Sequence, residues 1–390
     1  MQYSQYVPVE DVELIDNYEA GGYHPIHVGD RLGPEDRFAI VHKLGFGGRC
    51  TVWLAQDEAE GQYVALKVAV AANNHAQREF SIMRELEGSL GDRSASIAKL
   101  RAAFAHTGPN GVHECLATNS GMCSLSESKL ASDGVWLFDL AVSCKITAQL
   151  IQTTSFLHSR GIAHGDLHLG NVLLKHPWFS SMPISRLYNK YGEPVKENVV
   201  RLDGTPVSVH VPRYMVSPAC LGKRCEDVTL ADAEILLVDF GESWKPAETP
   251  RYTLNAPALY RPPEAIFATA EQHLFEGFYP NEDDVLAENI SALGKPPQTW
   301  WDLWNARDEF FNDQGDWTVN ASRVIDGEYR SLEERVHRIK QDQKGMLGNE
   351  EAADLISMLR GMLMWQPKDR VSALYLATGP WMRKWGNETS

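Results

Sequence analysis

Hydrophobic positions near the start of the chain follow a strand pattern rather than a helical one. Residues 38–41, 51–54 and 63–68 are β-prone runs separated by glycine-bearing turns, which predicts an antiparallel meander. Residues 97–120 contain two further candidate strands. Between residues 75 and 90 apolar side chains recur at helical spacing, so one helix is expected to pack on this small sheet.

The pattern changes after about residue 140, and an α+β chain in three parts is predicted. Residues 1–37 are turn-rich and are expected to form an extended N-terminal segment, followed by a strand-rich lobe over residues 38–120. A helical lobe is expected over residues 121–385, beginning with the apolar stripe of residues 145–159. Within it, residues 175–232 are rich in proline and poor in helical periodicity, which predicts an inserted spacer.

Composition narrows the class of protein. Of the 390 residues 43% are hydrophobic, which is typical of a globular chain, and no apolar run has the length of a membrane span or a secretory signal. Six scattered cysteines without a CxxC pair predict reduced thiols rather than a zinc site. We therefore expect an intracellular protein, in the cytoplasm, the nucleus or both, with no membrane partner.

The net charge of the chain indicates which kinds of ligand it is able to attract. A formal charge of −15 argues against direct binding to nucleic acid and favours basic ligands, including arginine-rich peptides. The same acidity is also consistent with a role in solubility alone.

Residues 164–171, His-Gly-Asp-Leu-His-Leu-Gly-Asn, form the most informative stretch of the chain. They lie between a predicted helix and the short apolar run 172–174. Asp166 and Asn171 are five residues apart on one loop, a spacing at which the aspartate can orient a hydroxyl nucleophile while the asparagine holds a metal ion carrying phosphates. Taken alone, the same residues are also typical of an ordinary turn.

A glycine-bearing loop between the first two predicted strands is the second candidate. Gly45, Phe46, Gly47 and Gly48 form a loop in which backbone amides can approach phosphate oxygens without an intervening Cβ. Val52 follows the loop and would cover an adenine ring. An ordinary hairpin turn would have the same sequence features.

Lys67 lies on the third predicted strand, two residues after Ala65, at a distance from the glycine loop that would aim it at the α and β phosphates. This role requires an acid from the following helix to hold the ammonium. Glu79 is the predicted partner because it lies on the inward side of that helix, and Glu85 is the competing candidate.

Two further elements follow in the second half of the chain. Asp239 stands at the end of an apolar strand and is followed by Phe-Gly, which predicts a magnesium ligand with a hinge behind it. Glu264, in a Pro-Pro-Glu sequence, and Arg370 are predicted to form a buried ion pair that fixes a substrate-binding segment.

Six elements follow one another along the chain: the glycine loop, Lys67, Glu79, the Asp166 loop, Asp239-Phe-Gly and Pro-Pro-Glu. Their order resembles the signature of a eukaryotic-type protein kinase over residues 38–385. The run from Tyr18 to Pro25 and the separation of 68 residues between Asn171 and Asp239 are similar to SR-protein kinases, the fungal ones in particular. The resemblance implies a two-lobed kinase fold, ATP and Mg²⁺ as cofactors, and phosphorylation of serine or threonine in protein substrates. Arginine- and serine-rich segments are the candidate substrate class, and the chain is expected to act as a monomer.

The resemblance also implies a role for each candidate residue. Asp166 would be the catalytic base, and His168 takes the place of a lysine that contacts the γ-phosphate, so slower transfer is expected. Asn171 and Asp239 would bind magnesium. The nucleotide site would comprise Gly45, Phe46, Gly47, Gly48, Val52, Ala65, Lys67 and Glu79.

One departure from the family pattern leaves alternatives open. Kinases continue after Pro-Pro-Glu into a buried helix that begins with Asp-x-Trp, and no such sequence occurs between Glu264 and Leu293, so one central helix of the helical lobe is predicted to be missing. The chain would then be a pseudokinase or a truncated splice product that binds nucleotide or partners. A small-molecule phosphotransferase is the third hypothesis, since the Asp166 loop also resembles aminoglycoside and choline kinases.

Overall fold

The computed structural model describes residues 4–72, 76–88, 95–134, 136–175, 179–251, 255–268, 282–312, 314–318, 331–342 and 346–386. The chain divides into two compact units. The first unit comprises Met1–Leu137, Leu169–Asp227 and Glu234–Ser243. The second unit comprises Phe138–His168, Val228–Ala233 and Trp244–Ser390.

A six-stranded antiparallel sheet forms the framework of the first unit, in the order β1-β2-β3-β4-β6-β5. Phe38, Trp53 and Leu66 are at most 2% exposed in its core, and half-buried and exposed side chains alternate along residues 100–108. The predicted meander and the two further strands are confirmed. The strands are β1 (Arg31–Leu32), β2 (Phe38–Gly47), β3 (Cys50–Asp57), β4 (Gln62–Ala69), β5 (Leu100–Gly108) and β6 (Gly111–Asn119).

Helices α1 (Ala76–Glu87) and α2 (Leu125–Leu130) belong to the same unit, and α1 confirms the helix predicted between residues 75 and 90. Helix α2 begins at a capping box in which Ser124 and Glu127 exchange side-chain to backbone hydrogen bonds. This cap fixes the place where the chain leaves β6 and turns into the helix.

The segment predicted as a spacer carries its own secondary structure, which its low periodicity did not indicate. It contains helix α4 (Ile184–Tyr191) and the antiparallel strands β8 (Lys196–Asn198) and β9 (Tyr214–Val216). The side chain of Leu187 in α4 is fully buried. The hydroxyl of the next residue, Tyr188, donates a hydrogen bond to the carbonyl of Val41 in β2 at 2.9 Å. The segment is thus packed against the main sheet.

The N-terminal segment, predicted to be extended, is also tied into the first unit. It forms a 3₁₀ turn at Ile15–Asn17, and β1 adds an edge strand to the sheet. A buried cluster joins it to the segment around β8 and β9; its members are Tyr6, Ile15, Tyr18, Tyr23, Val199, Val211 and Met215.

The second unit is helical. Its helices are α3 (Leu140–Ser159), α5 (Pro263–Ala268), α6 (Glu282–Leu293), α7 (Gln298–Leu303), α8 (Leu332–Asp342), α9 (Asn349–Met362) and α10 (Ala373–Ala377). Helix α3 packs through Cys144, Ala148 and Ile151 against Trp381 and Met382.

Aromatic side chains organise a second cluster in this unit. Trp301 and Trp304 pack with Phe310 and Phe311 against α6. The tryptophan-rich run at residues 300–304 therefore serves helix packing. The segment in which the central helix was predicted to be missing includes residues 269–281, which lie outside the described residues, so that hypothesis stays a prediction. Within the described ranges, no helix combines the length and hydropathy that crossing a bilayer requires.

Candidate active site

Two paired strands bring Asn171 and Asp239 to the same edge of the first unit. Asn171 immediately precedes β7 (Val172–Lys175), and Asp239 follows β10 (Glu234–Leu237) by two residues. The strands are antiparallel with Leu237 opposite Val172, so the start of one lies beside the end of the other. The amide of Val238 also donates to the carbonyl of Asn171 at 3.0 Å. An amide oxygen and a carboxylate are thereby held at one end of a small sheet.

Asp239 adopts a backbone conformation that non-glycine residues rarely take. Its φ is 60°, in the left-handed region, and its Oδ1 accepts a hydrogen bond from the amide of Gly241 at 3.2 Å. Phe240 between them is fully buried. Such strain persists only where the surroundings fix it and is concentrated at functional sites.

Lys67 bridges two carboxylates. Its Nζ lies 2.8 Å from Oε2 of Glu79 in α1 and 2.8 Å from Oδ1 of Asp239. Burial by itself lowers the pKa of Lys67, but the two carboxylates outweigh it and hold the pKa well above its usual value. The ammonium is therefore charged at any physiological pH. Glu79, and not the exposed Glu85, is the acid that the structure pairs with this lysine.

The glycine loop is the tip of the hairpin between β2 and β3. Gly45 of β2 lies opposite Val52 of β3, and Gly47 lies opposite Cys50. Val52 in turn lies opposite Lys67 of β4. A Cβ added to Gly45, Gly47 or Gly48 would meet no atom within 4 Å. The space beside this backbone is therefore open, as approach of a phosphate requires.

These elements surround one cleft of about 470 Å³ within the first unit. This volume is in the range of sites for small-molecule ligands. Every residue predicted for the nucleotide and metal sites lines it, except Gly48: Gly45, Phe46, Gly47, Val52, Ala65, Lys67, Glu79, Asn171 and Asp239.

Several other residues that line the cleft were not predicted from the sequence. Leu116 and Thr118 come from β6 and lie opposite Lys67 and Ala65 in the sheet, so the period of that strand could have found them. Leu173 comes from β7. Ala219 and Leu221 also line the cleft, and no local signal in their proline-rich segment pointed to it.

The remaining predicted catalytic residues belong to the second unit. The amide of Asp166 donates to Nδ1 of the buried His164 at 3.3 Å, and Nε2 of His168 lies 3.6 Å from Oδ2 of Asp166. Both side chains are about one-fifth exposed, so each can be reached by a ligand. Gly165 has a φ of 83°, a left-handed conformation that explains a glycine between His164 and Asp166. The ring of His168 lies 5.3 Å from that of the half-exposed Tyr260.

Glu264 and Arg370 form the predicted ion pair in the second unit. The two oxygens of Glu264 accept from Nη1 and Nη2 of Arg370 at 2.8 and 2.6 Å, a bidentate geometry. Arg370 also donates to the carbonyls of Met364 and Trp365. The pair is partly exposed, at 31% and 23%, and not buried as the sequence suggested.

Comparisons with known proteins agree with this arrangement. The protein kinase domain family matches residues 38–182. A serine/threonine-protein kinase SRPK of Physarum polycephalum is 28% identical over 95% of this chain and 91% of its own length, and a serine/threonine protein kinase of Aspergillus fumigatus is 24% identical over 96% and 91%. Human SRSF protein kinase 3 is 31% identical over 42% of this chain and 30% of its own length.

A solved structure shows the fold. A crystallised kinase domain matches 92% of this chain and 98% of its own chain with a TM-score of 0.56, at 18% identity. Together with the cleft, the glycine hairpin and the Lys67 bridge, these matches show a two-lobed protein-kinase fold in a chain that is similar to the SR-protein serine/threonine kinases.

Proposed function

We propose that the chain transfers the γ-phosphate of ATP to serine or threonine hydroxyls of protein substrates, with the cleft of the first unit as the nucleotide site. The observation that carries this proposal is the bridge from Lys67 to Glu79 and Asp239. In protein kinases the pair between this lysine and the helix glutamate must be formed for activity. Here it is formed, and the glycine hairpin that would cover the phosphates lies beside it.

The chemical step assigns one role to each predicted residue. The substrate hydroxyl oxygen forms a bond to the γ-phosphorus while the bond between that phosphorus and the β–γ bridging oxygen breaks, so ADP leaves. The proton of the hydroxyl passes to the carboxylate of Asp166. Lys67 positions the α and β phosphates, and His168 approaches the transferred group. Positioning and charge neutralisation supply most of the rate acceleration.

Asn171 and Asp239 fit a magnesium site. Their amide and carboxylate oxygens are ligands that Mg²⁺ prefers, and the ion takes its remaining ligands from waters and substrate phosphates. In the part of the chain that the structure describes, no group of three or more His, Cys, Asp or Glu could hold a metal on its own. A site of one carboxylate and one amide would therefore depend on the nucleotide. When bound, the ion would neutralise charge on the phosphates.

Arginine- and serine-rich protein segments are the substrate class that we propose. The net charge of −15 favours basic ligands, and one relative is named for SRSF proteins. Two acids of α6 are already engaged within the second unit: Asp283 accepts a hydrogen bond from the indole of Trp304 at 2.6 Å, and Glu288 pairs with Arg335 at 2.6 Å. If arginines of the substrate bind to α6, they have to displace Arg335 before they can pair with Glu288.

A phosphate-transfer assay tests the proposal. Purified chain is incubated with Mg²⁺ and ATP labelled at the γ-phosphate, and transfer to an arginine-serine repeat peptide is compared with transfer to a lysine-serine repeat. We expect labelling of the first peptide, and a loss of about 10²–10⁴-fold on Asp166→Asn, the range typical of removing a general base. Equal labelling by the wild type and Asp166→Asn would overturn the proposal.

The same samples separate the other hypotheses. Stabilisation against heat by Mg²⁺ and ATP without transfer would identify a nucleotide-binding pseudokinase. Transfer to a small alcohol and to no peptide would identify a small-molecule phosphotransferase. Equal labelling of the two repeat peptides would leave the kinase activity intact and refute the preference for arginine.

A further inference from the structure

A short segment after β9 spans the cleft of the first unit. It runs from Ser217 to Lys223, and we name it the strap. At one end the amide of Ala219 donates to the carbonyl of Lys43 in β2 at 2.9 Å. At the other end the hydroxyl of Ser128, a buried residue of α2, donates to the carbonyl of Lys223 at 2.8 Å. The strap is therefore fastened to both the glycine-loop strand and α2.

Contact with Cys123 fixes the strap next to its second anchor. A Cβ on Gly222 would lie 1.8 Å from Sγ and 2.5 Å from Cβ of Cys123, so the strap backbone touches this residue with no room for a side chain. Leu221, the preceding residue, is 1% exposed and lines the cleft together with Ala219. Two apolar side chains of the strap thus form part of the cleft wall.

The sheet register shows at which end of the cleft this wall stands. Leu116 in β6 lies opposite Lys67, and Thr118 lies opposite Ala65. Two residues of a strand span about 6.6 Å, so Thr118 near the end of β6 lies farther along the sheet from Lys67 than Leu116 does. Cys123 follows the end of β6, and its carbonyl accepts a hydrogen bond from the amide of Leu174 in β7, three residues past Asn171. Because the strap touches Cys123, its wall stands at the end of the cleft away from the lysine and the phosphates it would bind.

We propose that Ala219 and Leu221 determine nucleotide specificity by closing this end of the cleft. The inference rests on the proposed function, in which the phosphates of ATP lie near Lys67. The wall would admit ATP itself and exclude ATP that carries a bulky group on the side of the adenine or ribose facing away from the phosphates. In an apolar pocket one added methylene changes selectivity by about 10–200-fold, which sets the size of the effect expected here.

Binding measurements with three probes test this inference. Calorimetry gives the Kd of ATP, of ATP with an alkylthio group at C2 of adenine, and of ATP with an anthraniloyl group on the ribose hydroxyls, each with Mg²⁺. For the wild type we expect at least one analogue to bind at least about tenfold more weakly than ATP. Leu221→Ala should reduce that ratio several-fold, and Ala219→Leu should weaken the binding of ATP itself.

Two further variants separate the wall from general effects. Gly222→Ala forces the strap away from Cys123 and should also lower the discrimination. Gly88→Ala is the matched control, because its new Cβ would have the Glu85 carbonyl as nearest neighbour at an ordinary 3.7 Å and the residue is exposed. The control should keep the wild-type ratio.

The outcomes distinguish this inference from the proposed function. No binding of ATP by the folded wild type would overturn the proposed function itself. Wild-type chain that binds ATP and both analogues equally well would refute the wall and leave the kinase function standing. If Leu221→Ala fails to fold, the wild-type ratio and Ala219→Leu still decide, since unchanged ATP affinity in the latter would contradict the wall.

Discussion

A buried ion pair joins the N-terminal segment to the glycine-loop strand, and its removal tests how that strand is held. Nζ of Lys43 contacts Oε2 of Glu13, and each side chain is only 1% exposed. The hydroxyl of Tyr18 donates to the other oxygen of Glu13. The ammonium also lies 5.3 and 5.6 Å from the ring centroids of Phe46 and Trp53. Every charged atom of the pair therefore has a partner within the fold.

Glu13→Gln removes the charge and keeps the shape. The amide can still accept the hydrogen bond from Tyr18, but Lys43 is left buried without a counter-charge. Burial already lowers the pKa of Lys43, and the Glu13 carboxylate is the group that opposes this shift. Loss of one partner of a buried pair costs about 3–5 kcal/mol. This cost is a large share of the free energy of unfolding of a typical folded domain, which is about 5–15 kcal/mol.

Urea unfolding of four proteins measures the effect: wild type, Glu13→Gln, Lys43→Met and the double variant. Tryptophan fluorescence follows the transition, and the buried Trp53 lies beside the pair. Each single variant should lower the free energy of unfolding by about 3–5 kcal/mol. The double variant should cost less than the sum by at least about 2 kcal/mol, since it leaves no buried charge.

Glu58→Gln is the matched control. It breaks the pair between Glu58 and Arg31, whose atoms are 2.6 Å apart and whose side chains are both 46% exposed. Water replaces the lost contact there, so the free energy of unfolding should hardly change. If Glu13→Gln cost no more than Glu58→Gln, or if the effects of Glu13→Gln and Lys43→Met simply added, the stabilising coupling between the two buried charges would be refuted.

Three other outcomes are expected. Burial, together with neighbouring histidines, lowers the pKa of His24 to about 3, so as the pH falls from about 6.5 to 3 the unfolded state takes up a proton that the folded state does not. His24 alone should reduce the free energy of unfolding by about 1.4 kcal/mol for each unit by which the pH falls in this range, so urea unfolding should show a slope shallower by that amount in His24→Gln and the wild-type slope in the exposed control His337→Gln. His168→Lys should raise kcat about threefold to tenfold at saturating ATP, since an ammonium adds a full charge near the transferred phosphate, and an unchanged kcat would contradict its proposed position. Tyr23→Phe removes the 2.8 Å hydrogen bond from its hydroxyl to the Gly47 carbonyl, which should raise KM for ATP about twofold to tenfold with kcat unchanged; a fall in kcat alone would count against a role in positioning the loop.

Local periodicity and motif spacing were sufficient for the framework of the cleft. The β-prone runs between glycine-bearing turns predicted the hairpin that carries Gly45 and the strand that carries Lys67, because glycine marks the turns between adjacent strands. The helical stripe also selected Glu79 over Glu85. The pairing of β7 with β10 was not predictable from pattern, since it joins segments separated by the whole spacer.

The parts that the sequence did not reveal depend on contacts between distant, locally unremarkable residues. Glu13 and Lys43 look like two solvated charges, since a lone lysine in a strand is normally exposed. Ala219 and Leu221 lie in a proline-rich stretch in which the hydrophobic residues follow neither a helical nor a strand periodicity. Glu13, Lys43 and Leu221 are buried in the folded chain by contacts between segments far apart in the sequence, which no window of neighbouring residues encodes.

Lys43 is the point at which these two distant segments meet. Its side chain binds Glu13 of the N-terminal segment, and its carbonyl accepts the hydrogen bond from Ala219 of the strap. The two contacts use different atoms of one residue, so they can be broken separately. Glu13→Gln loosens the side-chain contact and should raise KM for ATP through the glycine loop while the ratio between ATP and its bulky analogues is kept. Leu221→Ala should change that ratio with little effect on the free energy contributed by the ion pair. If both variants changed both quantities alike, the N-terminal segment and the strap would have to be treated as one support of the cleft rather than two.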